Sequence, residues 1–283
     1  MTVAVTGATG HFGQLVIEHL LERGTEPGEV VALVRDPAKA ATLAGAGVQV
    51  RAFDYDQLDG LAGALTGVQS LLLVSGTAMG RRFAQHRAVV DAAKAAGVGR
   101  VLYTSAPRAD ESINPVAPEH KATEDYLADS GVPHVILRNG WYHENYLPTV
   151  NTAAESGEVL TAAGDGRVAS ASRSDLAEGA AVVLLSDEVG RVYELTGDVA
   201  WSFDELAATI GGILGREVIA HKVSAVEEAA ILREAGLDDG TIGFVTAVDA
   251  AIAAGELGDV NGELAALIGH PTAPIADILR QAS

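Results

Sequence analysis

The apolar run Val3-Ala4-Val5 leads directly into Gly7-Ala8-Thr9-Gly10-His11-Phe12-Gly13, which opens the amphipathic stretch Phe12–Arg23. Strand, glycine-rich turn and helix in that order constrain the fold strongly. Glycines permit a tight turn and a close approach of backbone to ligand. A helix N-terminus offers N–H groups and a partial positive charge to a phosphate. The expected ligand is the pyrophosphate of a dinucleotide, lying against the amides of Thr9, Gly10, His11 and Phe12, with Gly7, Gly10 and Gly13 shaping the turn. A plain tight turn is the competing reading; the position directly after the first strand weighs against it.

Apolar runs and amphipathic stretches alternate through the first half. Strands are predicted at Val3–Val5, Val30–Val34, Val48–Ala52, Ser70–Val74, Val101–Thr104 and Val135–Leu137. Helices are predicted at Phe12–Arg23, Pro37–Ala44, Leu58–Leu65, Arg82–Ala96 and Pro118–Asp129. Gly24, Gly67, Gly97 and Gly131 close several of these as C-caps, and Asp36-Pro37 reads as an N-cap followed by a first-turn proline. This alternation implies an α/β fold, a Rossmann-type doubly wound parallel sheet. After Gly140 the rhythm loosens. A helix over Ala171–Ser186 and a strand at Val192–Leu195 are expected to rejoin the sheet. From Trp201 onward, helical patterns surround one short strand, Glu217–Ala220. The expected organisation is a dinucleotide-binding domain of residues 1–140 plus about 173–197. A smaller, mostly helical C-terminal lobe of residues 141–172 plus 198–283 is expected to cover the C-terminal edge of the sheet, where small ligands bind.

The 283 residues suffice for a full core, and a net charge of −19 disfavours nucleic acid and anionic membrane surface as partners. Cysteine is absent, which excludes a disulfide framework and a thiolate nucleophile. His86, His143, His221 and His270 show no ligand spacing, so no metal is expected. The first apolar run begins so early that no signal peptide is expected. No run is long enough to span a bilayer, so a cytoplasmic protein is the expectation. Oligomeric state stays open, a homo-oligomer included.

The residue ending the second strand bears on cofactor type. Here it is Arg35, close to the customary distance of about 20 residues beyond the last glycine. A guanidinium matches a 2′-phosphate, with Lys39 adding charge one turn later, so NADPH is expected over NADH. Asp36 is read as a helix cap before a ribose ligand. After the third strand, Asp54 either accepts from an adenine amino group or caps the next helix. Val74, Ser75 and Gly76 end the fourth strand with residues small enough for close approach to a cofactor, a simple turn being the alternative. Arg81 and Arg82 are read as exposed basic residues on a helix in preference to cofactor-phosphate ligands, and Asp175 as a helix-start residue and not a catalyst.

Short-chain reductases commonly carry Tyr-x-x-x-Lys, in which lysine lowers the phenol's pKa. None of the six tyrosines here, Tyr55, Tyr103, Tyr126, Tyr142, Tyr146 and Tyr193, has lysine four residues on. The equivalent helix instead carries His120 and Glu124 on one face. The pair is expected to hold the histidine in one tautomer for proton donation, a surface His–Glu pair being the bland alternative.

The strings GATGHFG, VALVRDPAKA, QHRAVVDAAKAAGV, YTSA, HKATE, LRNGWYHENYL, AAGDGRVASASRSDLA and LIGHPT occur in order. Together they resemble the NmrA-like atypical short-chain dehydrogenase/reductases, and within them the branch of type 2 NAD(P)H:quinone oxidoreductases and triphenylmethane reductases. The likeness covers nearly the whole chain. It implies hydride transfer from NADPH to a planar aromatic acceptor such as a quinone, without flavin. It places Gly7, Gly10, Gly13 and Arg35 at the phosphates, Ser75 on the nicotinamide side, and Tyr103, Thr104 and Ser105 on the fifth strand beside the cofactor. His120 and Glu124 take the altered catalytic positions. Asn139, Gly140, Trp141, Tyr142 and Asn145 fall beside the nicotinamide and acceptor; packing is the bland reading of Trp141, Tyr142 and Tyr146. A rival function is a non-catalytic NAD(P)-binding redox sensor, which loss of Tyr-x-x-x-Lys also fits. The LRNGWYHENYL string favours the enzyme. A quinone can do without a strong proton donor, because its ring stabilises the anion that hydride addition creates.

Overall fold

A computed structural model describes residues 1–282. Two compact units emerge: residues 1–109, 118–139 and 173–194 form the first, and residues 110–117, 140–172 and those from 195 onward form the second. Residues 110–117 therefore group with the second unit and not with the span 1–140.

The first unit holds β1 (Val3–Thr6), α1 (His11–Glu22), β2 (Val30–Val34), α2 (Ala41–Gly45), β3 (Gln49–Ala52), α3 (Leu61–Ala64), β4 (Ser70–Leu73), α4 (Arg82–Ala96), β5 (Arg100–Ser105), α5 (Ala117–Ser130, its first residue shared with the second unit) and β6 (His134–Asn139). The strand order is β3-β2-β1-β4-β5-β6, extended by a later strand at Val192–Leu195, and the pairings from β3 through β6 are parallel. This is the doubly wound arrangement. Its order reverses between β1 and β4, the kind of position at which open α/β sheets bind ligands.

Strand alternation sorts the buried side chains onto two faces. Ala4, Leu33, Leu71, Leu73, Val101, Tyr103 and Ile136 pack with Leu61, Val89, Val90 and Leu127 of α3, α4 and α5 and their flanks in one apolar cluster. Val5, Ala32, Leu72, Leu102 and Val135 form a paired row of the opposite parity and are also fully buried. The expected helix Leu58–Leu65 shrinks to Leu61–Ala64, because Gly60 at φ 98° breaks the helical path before it. The expected helix Pro37–Ala44 divides into a 3-10 turn at Pro37–Ala40 and α2.

The second unit contains α6 (Leu147–Ser156), β7 (Glu158–Thr161) and β8 (Arg167–Val168). Between these and the rest of that unit come α7 (Arg173–Leu185) and β9 (Val192–Leu195), the expected return to the sheet. Then follow β10 (Trp201–Ser202), α8 (Phe203–Leu214), β11 (Ile219–Lys222), α9 (Ala225–Glu234), α10 (Asp239–Ala253), α11 (Glu263–Ile268) and α12 (Ile275–Leu279). Helices α8, α9 and α10 start on side-chain caps: Ser202 with Glu205 and Ser224 with Glu227 form capping boxes, and Asp238 accepts from Gly240 and Thr241. The short strands pair as β7–β11 and β8–β10. Runs of two to four residues carry too little periodicity to be read from sequence, which is why only one of these four was expected, two residues early. Among the described residues no helix is long and apolar enough to cross a membrane.

Candidate functional site

The first glycine turn has little room for other residues. Gly7 sits at φ 59°, in the left-handed region, and its carbonyl accepts the Gly10 amide at 2.8 Å. A Cβ on Gly13 would stand 2.5 Å from Gly7 O and 2.9 Å from the Ala8 Cα, and one on Gly10 would stand 3.2 Å from Gly7 O. Helix α1 begins at His11 with Gly10 as N-cap, no side-chain cap and no acidic residue in its first turn. Such an N-terminus suits an anion. Thr9 is half-buried, His11 exposed and Phe12 buried.

Arg35 and Lys39 are exposed beyond β2, and Arg35 makes no ion pair with the described residues. Asp36 accepts the Ala38 amide at 3.1 Å, the expected cap. Asp54 accepts from the Asp56 amide at 3.1 Å and from Gln57 Nε2 at 3.4 Å, so its carboxylate closes the turn after β3.

The first three residues after β4, 74–76, are held on most of their backbone polar groups. Thr6 Oγ1 accepts the Val74 amide at 2.8 Å and donates to Leu72 O at 3.2 Å. The Tyr55 hydroxyl lies 2.6 Å from Thr6 Oγ1 and 3.0 Å from Val74 O. Thr104 Oγ1 accepts the Ser75 amide at 2.8 Å. Gly76 donates to His86 Nε2 at 3.1 Å, and its carbonyl accepts Arg82 Nε at 2.7 Å. Arg82 is buried, correcting the expectation of an exposed helix arginine; Arg81 is exposed, as expected, beside Asp56.

Alternation turns Tyr103 and Ser105 of β5, and Arg138 of β6, toward α5. Tyr103 Oη and His120 Nδ1 are 2.7 Å apart. Glu124 accepts from Ser105 Oγ at 2.5 Å and from Arg138 Nη2 at 2.7 Å and Nε at 3.0 Å. The expected His120–Glu124 pair is therefore corrected: the side chains share a helix face, but each reaches to the sheet. Burial, then the Arg82 charge, lowers the His120 pKa to about 3, and the same causes lower His86 to about 3. Both imidazoles are neutral at pH 7. Burial pushes the Tyr103 phenol upward. Hydrogen bonding to Glu124 raises Arg138, so the guanidinium stays charged.

Asn139 ends β6 with Oδ1 and Nδ2 both buried and without a hydrogen-bond partner among the described residues. Two orphaned polar atoms on one buried amide are rare in native proteins and fit a ligand that both donates and accepts. Gly140, Trp141 and Tyr142 belong to the second unit. The Gly140 amide donates to Leu195 O at 2.7 Å, and a Cβ there would stand 2.7 Å from the same oxygen. The Trp141 carbonyl accepts the Ala171 amide at 3.0 Å, and Tyr142 bridges to Ala171. Tyr146 packs edge-on against Trp201 with centroids 4.7 Å apart, the packing role that was its bland reading.

Residues 7–187 match the NAD(P)H-binding family model. Quinone oxidoreductase 2 of Escherichia coli (strain K12) is 46% identical over 277 residues, covering 97% of this chain and 96% of that protein. The crystal structure of an NADPH-dependent quinone oxidoreductase from Escherichia coli complexed with NADPH superposes with a TM-score of 0.96 at 44% identity, covering 99% of both chains. Triphenylmethane reductase of a Citrobacter species, complexed with NADP(H), gives 0.94 at 38% identity over 100% of both. The chain belongs to the NAD(P)H-binding, NmrA-like oxidoreductases. Within this oxidoreductase several side chains escaped the sequence reading: Thr6, Tyr55, Arg82, His86, Thr123 and Arg138. Arg138 stands inside the LRNGWYHENYL string, a usable signal. His86 stands inside the QHRAVVDAAKAAGV string, but no spacing there gives its role, since its partners Gly76 and Thr123 come from a loop and another helix.

Proposed function

We propose that this oxidoreductase uses NADPH to reduce a quinone or a related planar aromatic acceptor by direct hydride transfer without flavin. Asn139 carries the reading: an unsatisfied, buried carboxamide at the carboxyl end of β6, in a sheet whose β1 and β4 loops are shaped for a dinucleotide. The Gly7–Gly13 turn and the α1 N-terminus hold the pyrophosphate, and Arg35 meets the 2′-phosphate. Asn139 offers one donor and one acceptor to the nicotinamide amide. The bound cofactor supplies a hydride from its dihydronicotinamide ring.

The chain's own residues then bind, orient and hold one proton. We assign the Tyr103 hydroxyl as donor to His120 Nδ1, 2.7 Å away, an assignment that puts the ring hydrogen of neutral His120 on Nε2. That Nε2 has no hydrogen-bond partner among the described residues. It is a weak donor, suited to the oxygen of a hydroquinone anion that its own ring already stabilises. Hydride addition gives the hydroquinone monoanion, which takes its proton from solvent; His120 lends a hydrogen bond and gives up no proton. Glu124, occupied by Ser105 and Arg138, braces α5 against the sheet and moves no proton. The test is NADPH oxidation by purified protein, without added flavin, against a set of quinones and cationic dyes. NADPH binding with no turnover of any of them would overturn the reading in favour of a redox sensor.

A further inference from the structure

We propose that His86 is a positioning residue for the cofactor: together with Arg82, one helical turn earlier on α4, it clamps the Gly76 peptide and so sets the shape of the β4 loop on which NADPH rests. This deepens the proposed function and rests on its placement of NADPH at the β1 and β4 loops.

The Gly76 N–H and C=O are both taken by side chains of one helix. His86 Nε2 accepts the first at 3.1 Å, and Arg82 Nε donates to the second at 2.7 Å. A backbone amide can only donate, so Nε2 must be unprotonated and the ring hydrogen of neutral His86 sits on Nδ1. Nδ1–H then points at Thr123 Oγ1, 3.1 Å away on α5. The Thr123 hydroxyl donates to Glu119 O at 2.9 Å, leaving its oxygen to accept from His86. The hydrogen bonds thus run in one direction, from the Gly76 amide through His86 and Thr123 to the backbone of α5, and both ring nitrogens are used.

This arrangement is costly as packing alone. His86 has no solvent exposure, and its neutral form persists to about pH 3. An apolar ring of similar size would fill the space without placing two polar atoms in the core. The ring also touches both neighbouring parts of the site. It lies edge-on to Tyr103 at 5.2 Å between centroids, and to Tyr55, which bonds Thr6 and Val74, at 6.4 Å. Arg82 completes the clamp with Nη1 buried and without a hydrogen bond, 3.9 Å from the Glu119 carboxylate. With Thr6 holding Val74 and Thr104 holding Ser75, the Gly76 clamp is the last of three anchors on consecutive residues of the loop. A loop fixed before the ligand arrives loses less freedom on binding and holds a reacting ring in register.

His86→Phe keeps the ring volume and removes both nitrogens. His86→Gln returns one acceptor to the Gly76 amide. Fluorescence titration of the full chain with NADPH is expected to show at least a tenfold higher Kd for His86→Phe, with most of the loss recovered in His86→Gln. A role confined to stability would lower the melting temperature of both and leave the Kd of the folded protein unchanged; that result overturns the proposal. Nitrogen-15 NMR of the imidazole in the unmodified protein tests it without any variant. The Nδ1–H tautomer is expected at pH 7, and an Nε2–H tautomer contradicts the clamp. Both readouts are independent of turnover, so wild-type protein that binds NADPH but reduces no acceptor sinks the proposed reaction and not the clamp.

Discussion

Glu124 is bound to Arg138 at 2.7 Å, in a pair whose side chains are each only 10% exposed. The carboxylate is thereby withdrawn from His120, one turn earlier on the same helix, and the imidazole is left to Tyr103. An ion pair this enclosed is weak evidence of net stabilisation, but removing one member strands the other charge.

Arg138→Leu is therefore expected to destabilise the fold by about 3–5 kcal/mol, the range for breaking a buried pair. Adding Glu124→Gln to that variant should recover part of the loss, because the enclosed carboxylate is then neutral; Glu194, which Arg138 also binds at 2.8 Å, still loses its arginine, so recovery is incomplete. Urea unfolding of the three proteins measures this. A single variant within about 0.5 kcal/mol of the parent, the scatter of ordinary surface changes, contradicts it.

Two neutral, buried histidines give stability a pH dependence of known sign. Their folded pKa values lie near 3, below the unfolded value of 6.5. The unfolded chain takes up more protons in between, so the contribution is full above pH 6.5 and falls as pH drops toward 3. Between pH 7 and pH 5 each should cost the fold about 2 kcal/mol. His120→Phe should remove about half of that slope. An unchanged slope in the variant would show that His120 titrates normally.

Gly13→Ala should be much worse than an ordinary glycine-to-alanine change in a helix. The added Cβ meets Gly7 O at 2.5 Å, and backbone must move to admit it. The expected loss is about 1–3 kcal/mol of stability, as in overpacked cores, with a clear rise in the NADPH Kd. A variant with parental melting temperature and Kd would show that the turn is looser than described.

Arg35→Ala should narrow the preference for NADPH over NADH by about 1.5–3 kcal/mol, the range for hydrogen bonds to charged groups. Titrations with both cofactors decide it. Equal affinity for NADPH and NADH in the unmodified protein leaves Arg35 without the proposed role.

His120→Ala should lower quinone turnover by less than the roughly 10²–10⁴-fold of an essential general acid, since a neutral imidazole supplies only a hydrogen bond to an anion already stabilised by its ring. Asn139→Leu should cost more, by letting the nicotinamide ring shift. Steady-state kcat/KM for both variants with one quinone checks the order. A larger loss in His120→Ala would make proton donation, and not positioning, the dominant contribution.

The sequence by itself determined what depends on near neighbours in the chain. Buried runs such as Val30–Val34 and Ser70–Leu73, alternating with helices closed by glycine, dictated the doubly wound sheet. The spacing of Gly7, Gly10 and Gly13 dictated the tight turn that opens α1, because a turn and the helix it starts are contiguous. The segment LRNGWYHENYL marked Asn139. Only the tertiary structure decided which side chains meet. His120 and Glu124 are four residues apart on one helix face, yet strand parity sets Tyr103 under the first and Ser105 and Arg138 under the second. His86 reads as an ordinary helix residue until folding brings the Gly76 amide to one nitrogen and Thr123 to the other. A hydrogen-bond partner is chosen by distance and direction across packed elements, and local sequence carries neither.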